Sequence, residues 1–132
     1  MLALIMSLAI ATAATSSKPI VAKGAGFTQV EGVTEAINIA VVVVPQTGPM
    51  TIVFNRDDYG FVVAGDWIRT SEGRARLAVK RASVWQGKRR VPDPTASGTC
   101  DFSFTDQPLL FTASCDLRTQ FGKTVVSFTG TP

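Results

Sequence analysis

The sequence predicts an all-β domain: a single small antiparallel β-sandwich or barrel of about eight short strands, preceded by a signal peptide. Three observations carry this expectation. Apolar residues recur with the two-residue period of a half-buried strand, and no long stretch keeps a helical period. Glycine, proline and aspartate clusters interrupt the pattern about every 10 residues. The only two cysteines stand in neighbouring alternating runs whose apolar faces agree when the cysteines face each other. At 132 residues the chain has room for one ordinary domain. Its apolar content is ample and its net charge only +3, so a disordered chain is excluded.

Residues 1–13 read as the signal peptide and 14–132 as the single β-domain. From Leu2 to Ala14 only Ser7 and Thr12 are polar, and Ala11-Thr12-Ala13 fits the small-x-small pattern of a cleavage site. Such a run is shorter than the roughly 20 apolar residues that cross a bilayer, so the processed chain is not expected to span a membrane. No Lys or Arg precedes the run, which leaves the α-amino group to supply the positive end. The other reading is a short buried or interfacial segment. Export places the mature chain in the periplasm or outside the cell.

Residues 20–33, with Gly24, Gly26 and Gly32, open as loop or edge strand. Thr34–Val44 is rich in β-branched residues and ends at Pro45. It reads as a strand buried on both faces, with a short helix over Thr34–Ala40 as the alternative. Val33, Ile37, Ile39, Val41 and Val43 share one face. Pro45–Pro49 turns into a strand over Met50–Asn55. Arg56–Gly60 reads as a polar turn closed by glycine. Phe61–Ala64 is a short apolar strand that Trp67–Thr70 continues or follows. Ser71-Glu72-Gly73 turns the chain, and Arg74–Ser83 alternates, with Ala75, Leu77 and Val79 opposite Arg74, Arg76 and Lys80. Gln86-Gly87 is a tight turn, Pro92–Gly98 the longest loop, and Lys123–Thr129 the last strand, with Val126 and Phe128 inward.

Cys100 and Cys115 allow one pairing, and an exported protein holds it oxidised. Cys100, Phe102 and Phe104 share a face, and so do Leu109, Phe111, Ala113, Cys115 and Leu117. Placing Cys100 opposite Cys115 puts Phe102 opposite Ala113 and Phe104 opposite Phe111 around a turn at Thr105–Pro108. A slip of one residue would set each apolar stripe against a polar one.

The absence of histidine removes the commonest general base and the commonest zinc ligand. No Cys-x-x-Cys motif is present, and no cofactor or metal is expected. Lys23-Gly24-Ala25-Gly26 resembles half of a phosphate-binding loop but lacks the second half, and reads as a turn. Asp57, Asp58, Asp66 and Glu72 offer the carboxylates of a paired-acid hydrolase, and Asp101 with Asp57, Asp58 and Asp66 those of a calcium site. Adjacent aspartates between strands read more simply as turn residues, and no calcium-loop spacing exists. The expectation is a protein without catalytic residues.

Charge placement is the strongest functional signal. Residues 69–90 hold eight basic side chains against Glu72 alone, so the rest of the chain is net acidic. Arg74, Arg76 and Lys80 share a strand face, and a hairpin through Gln86-Gly87 is expected to bring Lys88 and Arg90 beside them; with Arg89 these form the expected contact surface, and Trp85 lies alongside to stack on a ligand. A basic stripe attracts a polyanion such as lipopolysaccharide phosphate, an acidic glycan or an acidic protein. Nucleic acid is unlikely in that compartment. The competing reading is a solvated face that guards a sheet edge. Trp67 and Trp85 read as core anchors. An accessory subunit of an envelope assembly, pairing through Val41–Val44 or a free edge, is the second functional expectation, and the oligomeric state is not readable.

Overall fold

The computed structural model describes residues 19–45 and 47–132, so the expected signal peptide lies outside the described residues. Among the described residues nine strands follow one another: β1 (Ile20–Val30), β2 (Val33–Val43), β3 (Met50–Arg56), β4 (Tyr59–Ser71), β5 (Arg74–Gln86), β6 (Arg89–Asp93), β7 (Ser97–Asp106), β8 (Leu109–Thr119) and β9 (Gly122–Thr131). Sequence neighbours pair antiparallel except β6 and β7, which both pair with β5, and β9 returns to β1, so eight strands close an up-and-down barrel. Closure leaves few strand edges exposed, a stable solution for a chain this rich in β-branched residues. Of the two architectures expected, the barrel is the one formed.

The ninth strand, β6, is an in-line extension of β7. Asp93 stands opposite Ala82, and Gly98 opposite Val79, along the same edge of β5. The expected long loop over 92–98 is therefore an interruption of only Pro94, Thr95 and Ala96 within one long strand partner. Pro92 is tolerated because, among the described residues, the far edge of β6 takes no strand partner. The Pro92 carbonyl accepts instead from Gln120 Nε2 at 2.8 Å. Asp93, 2% exposed, fastens the interruption: its Oδ1 accepts from Thr95 N (3.0 Å) and Thr95 Oγ1 (2.8 Å), and its Oδ2 from Gln120 N (2.6 Å). Burial opposes its ionisation, but the three hydrogen bonds outweigh burial and hold its pKa below the ordinary aspartate value.

Several expected elements are corrected. Residues 20–30 form a strand paired on both sides, not a loop or an edge. No helix forms over 34–40. Of the two readings of Trp67–Thr70, the one in which it continues Phe61–Ala64 holds: both lie in β4, with a register shift against β5 at Ala64/Gly65. The turn after β3 is Asp57-Asp58 alone, with Asp57 itself at φ 43°, so Gly60 belongs to β4. In β2 the buried residues are Ile37, Ala40 and Val42, which do not share one parity. The cause lies on β1, where the register shifts between Lys23 and Gly26. This bulge moves β2's inward face from odd to even positions. Ile39, Val41 and Val43 are left half-buried on the outer wall, so β2 is not fully covered on both faces.

The interior is filled by side chains. Phe54, Phe61, Phe111 and Phe128 are each at most 1% exposed. Phe111 links the cluster, with ring centroids 4.8 Å from Phe104, 6.4 Å from Phe102 and 6.2 Å from Phe128. Such offset contacts add to burial worth roughly 1.5–3 kcal/mol per large side chain. The hairpin register around the disulfide is as expected. Cys100 pairs with Cys115, Phe102 with Ala113 and Phe104 with Phe111, and the cysteine sulfurs are bonded. Toward the end where Asp57-Asp58 turns, the interior becomes polar. Tyr59 Oη lies 2.6 Å from Thr28 Oγ1, and Arg56 pairs with Glu35 at 3.2 Å.

Candidate ligand groove on the outer sheet face

The expected basic cluster is drawn out along β5 rather than gathered. A two-residue turn at Gly87-Lys88 fixes Gln86 opposite Arg89 and Trp85 opposite Arg90. Arg90 therefore lies beside Trp85, and not beside Arg74 and Arg76, which face Ser103 and Asp101 of β7 about 30–36 Å along the strand at about 3.3 Å per residue. Lys88 sits in the turn. Arg89 shares the inward parity of Val91 and Asp93, so it projects from the rim opposite to Arg90.

Two of the expected contact residues are already paired. Arg76 Nε donates to Asp101 Oδ1 at 2.8 Å, which raises the guanidinium pKa above its ordinary value by hydrogen bonding and then by charge. Lys80 Nζ lies 2.8 Å from Asp66 Oδ2. Among the described residues, Arg74, Arg81, Lys88, Arg89 and Arg90 make no ion pair. The same pairs engage Asp66 and Asp101, two of the carboxylates considered for calcium.

Arg81 was not among the expected contacts, and strict alternation from Arg74 would turn it inward. Lys80 is the extra residue of the bulge where Ala64 faces Arg81 and Gly65 faces Val79. The bulge reverses parity, so Arg81, Ser83 and Trp85 point outward while Ala82 enters the core. Four strands then present two outer rows. One is Asn55, Gly60, Trp85 and Arg90, and beneath it run Val53, Val62, Ser83 and Pro92. The first row spans about 14 Å at the usual strand spacing.

All of these but Pro92 line a groove of about 590 Å³, together with Asp57, Asp58, Tyr59 and Gly87. A smaller hollow with Thr51, Ala64 and Arg81 adjoins it through Val62, Ser83 and Arg90. The Arg90 guanidinium carbon stands 5.7 Å from the Trp85 ring centroid, a cation–π contact. Trp85 nonetheless stays 41% exposed and Trp67 37%, so neither is the core anchor expected. Small side chains at Gly60 and Ser83 form the floor, and Ser83 is 3% exposed despite its outward parity. Arg74 and Arg76 border a separate groove lined by Ser103, Thr112, Ser114, Ser127 and Thr129.

Fold and surface together define a closed antiparallel barrel with a filled interior and open grooves on the outside of its wall. No family model, curated protein or solved structure matches the chain.

Proposed function

We propose that the chain is an exported, non-catalytic binding module that captures an anionic ligand through the outer face of β5 and β6. The observation that carries this reading is the set of Arg81, Trp85 and Arg90 on one outer face, with neither arginine in an ion pair among the described residues. Unpaired guanidinium groups over a sheet face give a positive field and bidentate donors for phosphate, sulfate or carboxylate. The disulfide agrees with an oxidising compartment. The test is salt elution from heparin or lipopolysaccharide matrices. Charge reversal by Arg81→Glu and Arg90→Glu lowers the salt needed for elution far more than Arg76→Glu or Lys80→Glu. Retention indifferent to the first pair of substitutions rejects the reading.

A second reading, an accessory subunit of an envelope assembly, rests on β4. Its register with β3 stops at Gly65, so among the described residues Asp66–Ser71 offers an unpaired edge that carries Trp67 and Ile68, the latter 65% exposed. Val41–Val43 is not that edge, because it pairs with β1 and β3. Light scattering separates the two readings: a monomer at all concentrations speaks against edge pairing.

A further inference from the structure

Gly60 is the one glycine whose identity the backbone does not demand. Of the eleven glycines, the other ten either take a positive φ or stand where an added Cβ would collide with neighbouring atoms. Gly60 does neither. A Cβ there meets only Asn55 Cβ at 3.6 Å, Trp85 Cβ at 3.7 Å and the Phe54 carbonyl oxygen at 3.8 Å, all ordinary contacts. Glycine inside a strand weakens it, because it loses the most conformational freedom and packs no side chain. A strand that accepts this cost without steric need, at the floor of a groove, leaves a slot between Asn55 and Trp85.

We propose that this slot is a saccharide subsite that takes an acidic sugar, a deepening that rests on the anionic-ligand reading above. The surroundings supply the chemistry. An indole presents an apolar face with a polar edge, suited to the C–H face of a sugar ring. Asn55, Asp57 and Asp58 accept hydrogen bonds from hydroxyls, and Asn55 also donates. Arg90, at the other end of the row, matches a carboxylate or sulfate bidentately. The groove lining thus carries both signs. A ligand crowded with negative charge meets repulsion at Asp57 and Asp58. One that offers hydroxyls there and a single acidic group to Arg90 satisfies both. The open, shallow shape suits a stretch of glycan lying across β3 to β6.

The experiment titrates a short oligouronate into the full-length chain by calorimetry, with the methyl-esterified oligosaccharide as the neutral probe and heparin retention measured in parallel. Wild type binds the oligouronate, and the ester binds at least 5-fold more weakly. Gly60→Val fills the slot and lowers oligouronate affinity at least 10-fold while heparin retention persists. Its melting temperature holds or rises, since valine favours strands. Gly60→Ala, which adds only the ordinary contacts above, gives an intermediate loss and keeps the test open if the valine variant does not fold. Equal affinity in wild type and both Gly60 variants overturns the subsite. So does wild type that binds heparin but no oligouronate, a result that leaves the basic face standing. Wild type that binds neither overturns both.

Discussion

Replacing Asp93 with asparagine tests the join that holds β6, and with it Arg90, against the barrel. The carboxylate is 2% exposed and accepts three hydrogen bonds, two from Thr95 and one from Gln120. In Asp93→Asn the remaining oxygen can still serve Thr95, but the amide nitrogen then faces the Gln120 N–H, donor against donor. A hydrogen bond to a charged group contributes about 1.5–3 kcal/mol, so the loss is expected at about 2–3 kcal/mol. For a domain of this size that lowers the melting temperature by about 10 °C. The effect depends on pH with a definite sign. The folded-state pKa lies below the ordinary value, so the stabilisation is complete above the unfolded-state pKa and fades as pH falls through the folded one. Urea denaturation of both proteins at pH 7 and at steps below pH 4 reads the difference directly. A difference under about 0.5 kcal/mol at pH 7, or one that does not narrow in acid, refutes the account of this carboxylate.

Other expectations follow from single interactions. The disulfide closes a separation of 15 residues, so Cys100→Ala with Cys115→Ala costs about 3 kcal/mol in the chain-entropy view, read as a lower urea midpoint that matches reduced wild type. Phe111→Ala empties the centre of the aromatic cluster and costs about 3–5 kcal/mol by the same assay, whereas a cost under about 1 kcal/mol denies that this cluster is the core. Tyr59 is the sole tyrosine, and burial, aided by Glu35 and opposed by the Thr28 hydrogen bond and by Arg56, raises its pKa. Its ultraviolet titration is therefore displaced to the alkaline side of a free phenol. Its stabilisation is full below about pH 10 and lost as pH rises through the folded value.

What could be read from the residues depended on whether alternation ran unbroken. From Cys100 to Leu117 it did, and the cysteine pairing, the aromatic pairs and the inward face followed from parity alone. At Lys80 and at Gly24-Ala25 one inserted residue reverses parity, and neither bulge has a local signal stronger than a glycine or a charge. Arg81 was thus left out of the expected contact face, and β2 was read as buried on both faces. Pro92 looked like a loop residue because sequence does not show that its strand edge is unpartnered. Gly60 looked like the end of a turn because Asp57 was not expected to adopt positive φ itself. The basic residues were legible as a stripe, but their spread along β5, and the pairing of Arg76 and Lys80 by carboxylates from other strands, required the register.

Chemical-shift mapping by NMR during titration with an acidic oligosaccharide tests the ligand-binding wall most directly. The amides of Gly60, Ser83 and Arg90 and the indole N–H of Trp85 should move together and saturate, with the effect suppressed by salt. Shifts confined to the opposite wall of β1, β8 and β9, or none at all, would contradict it.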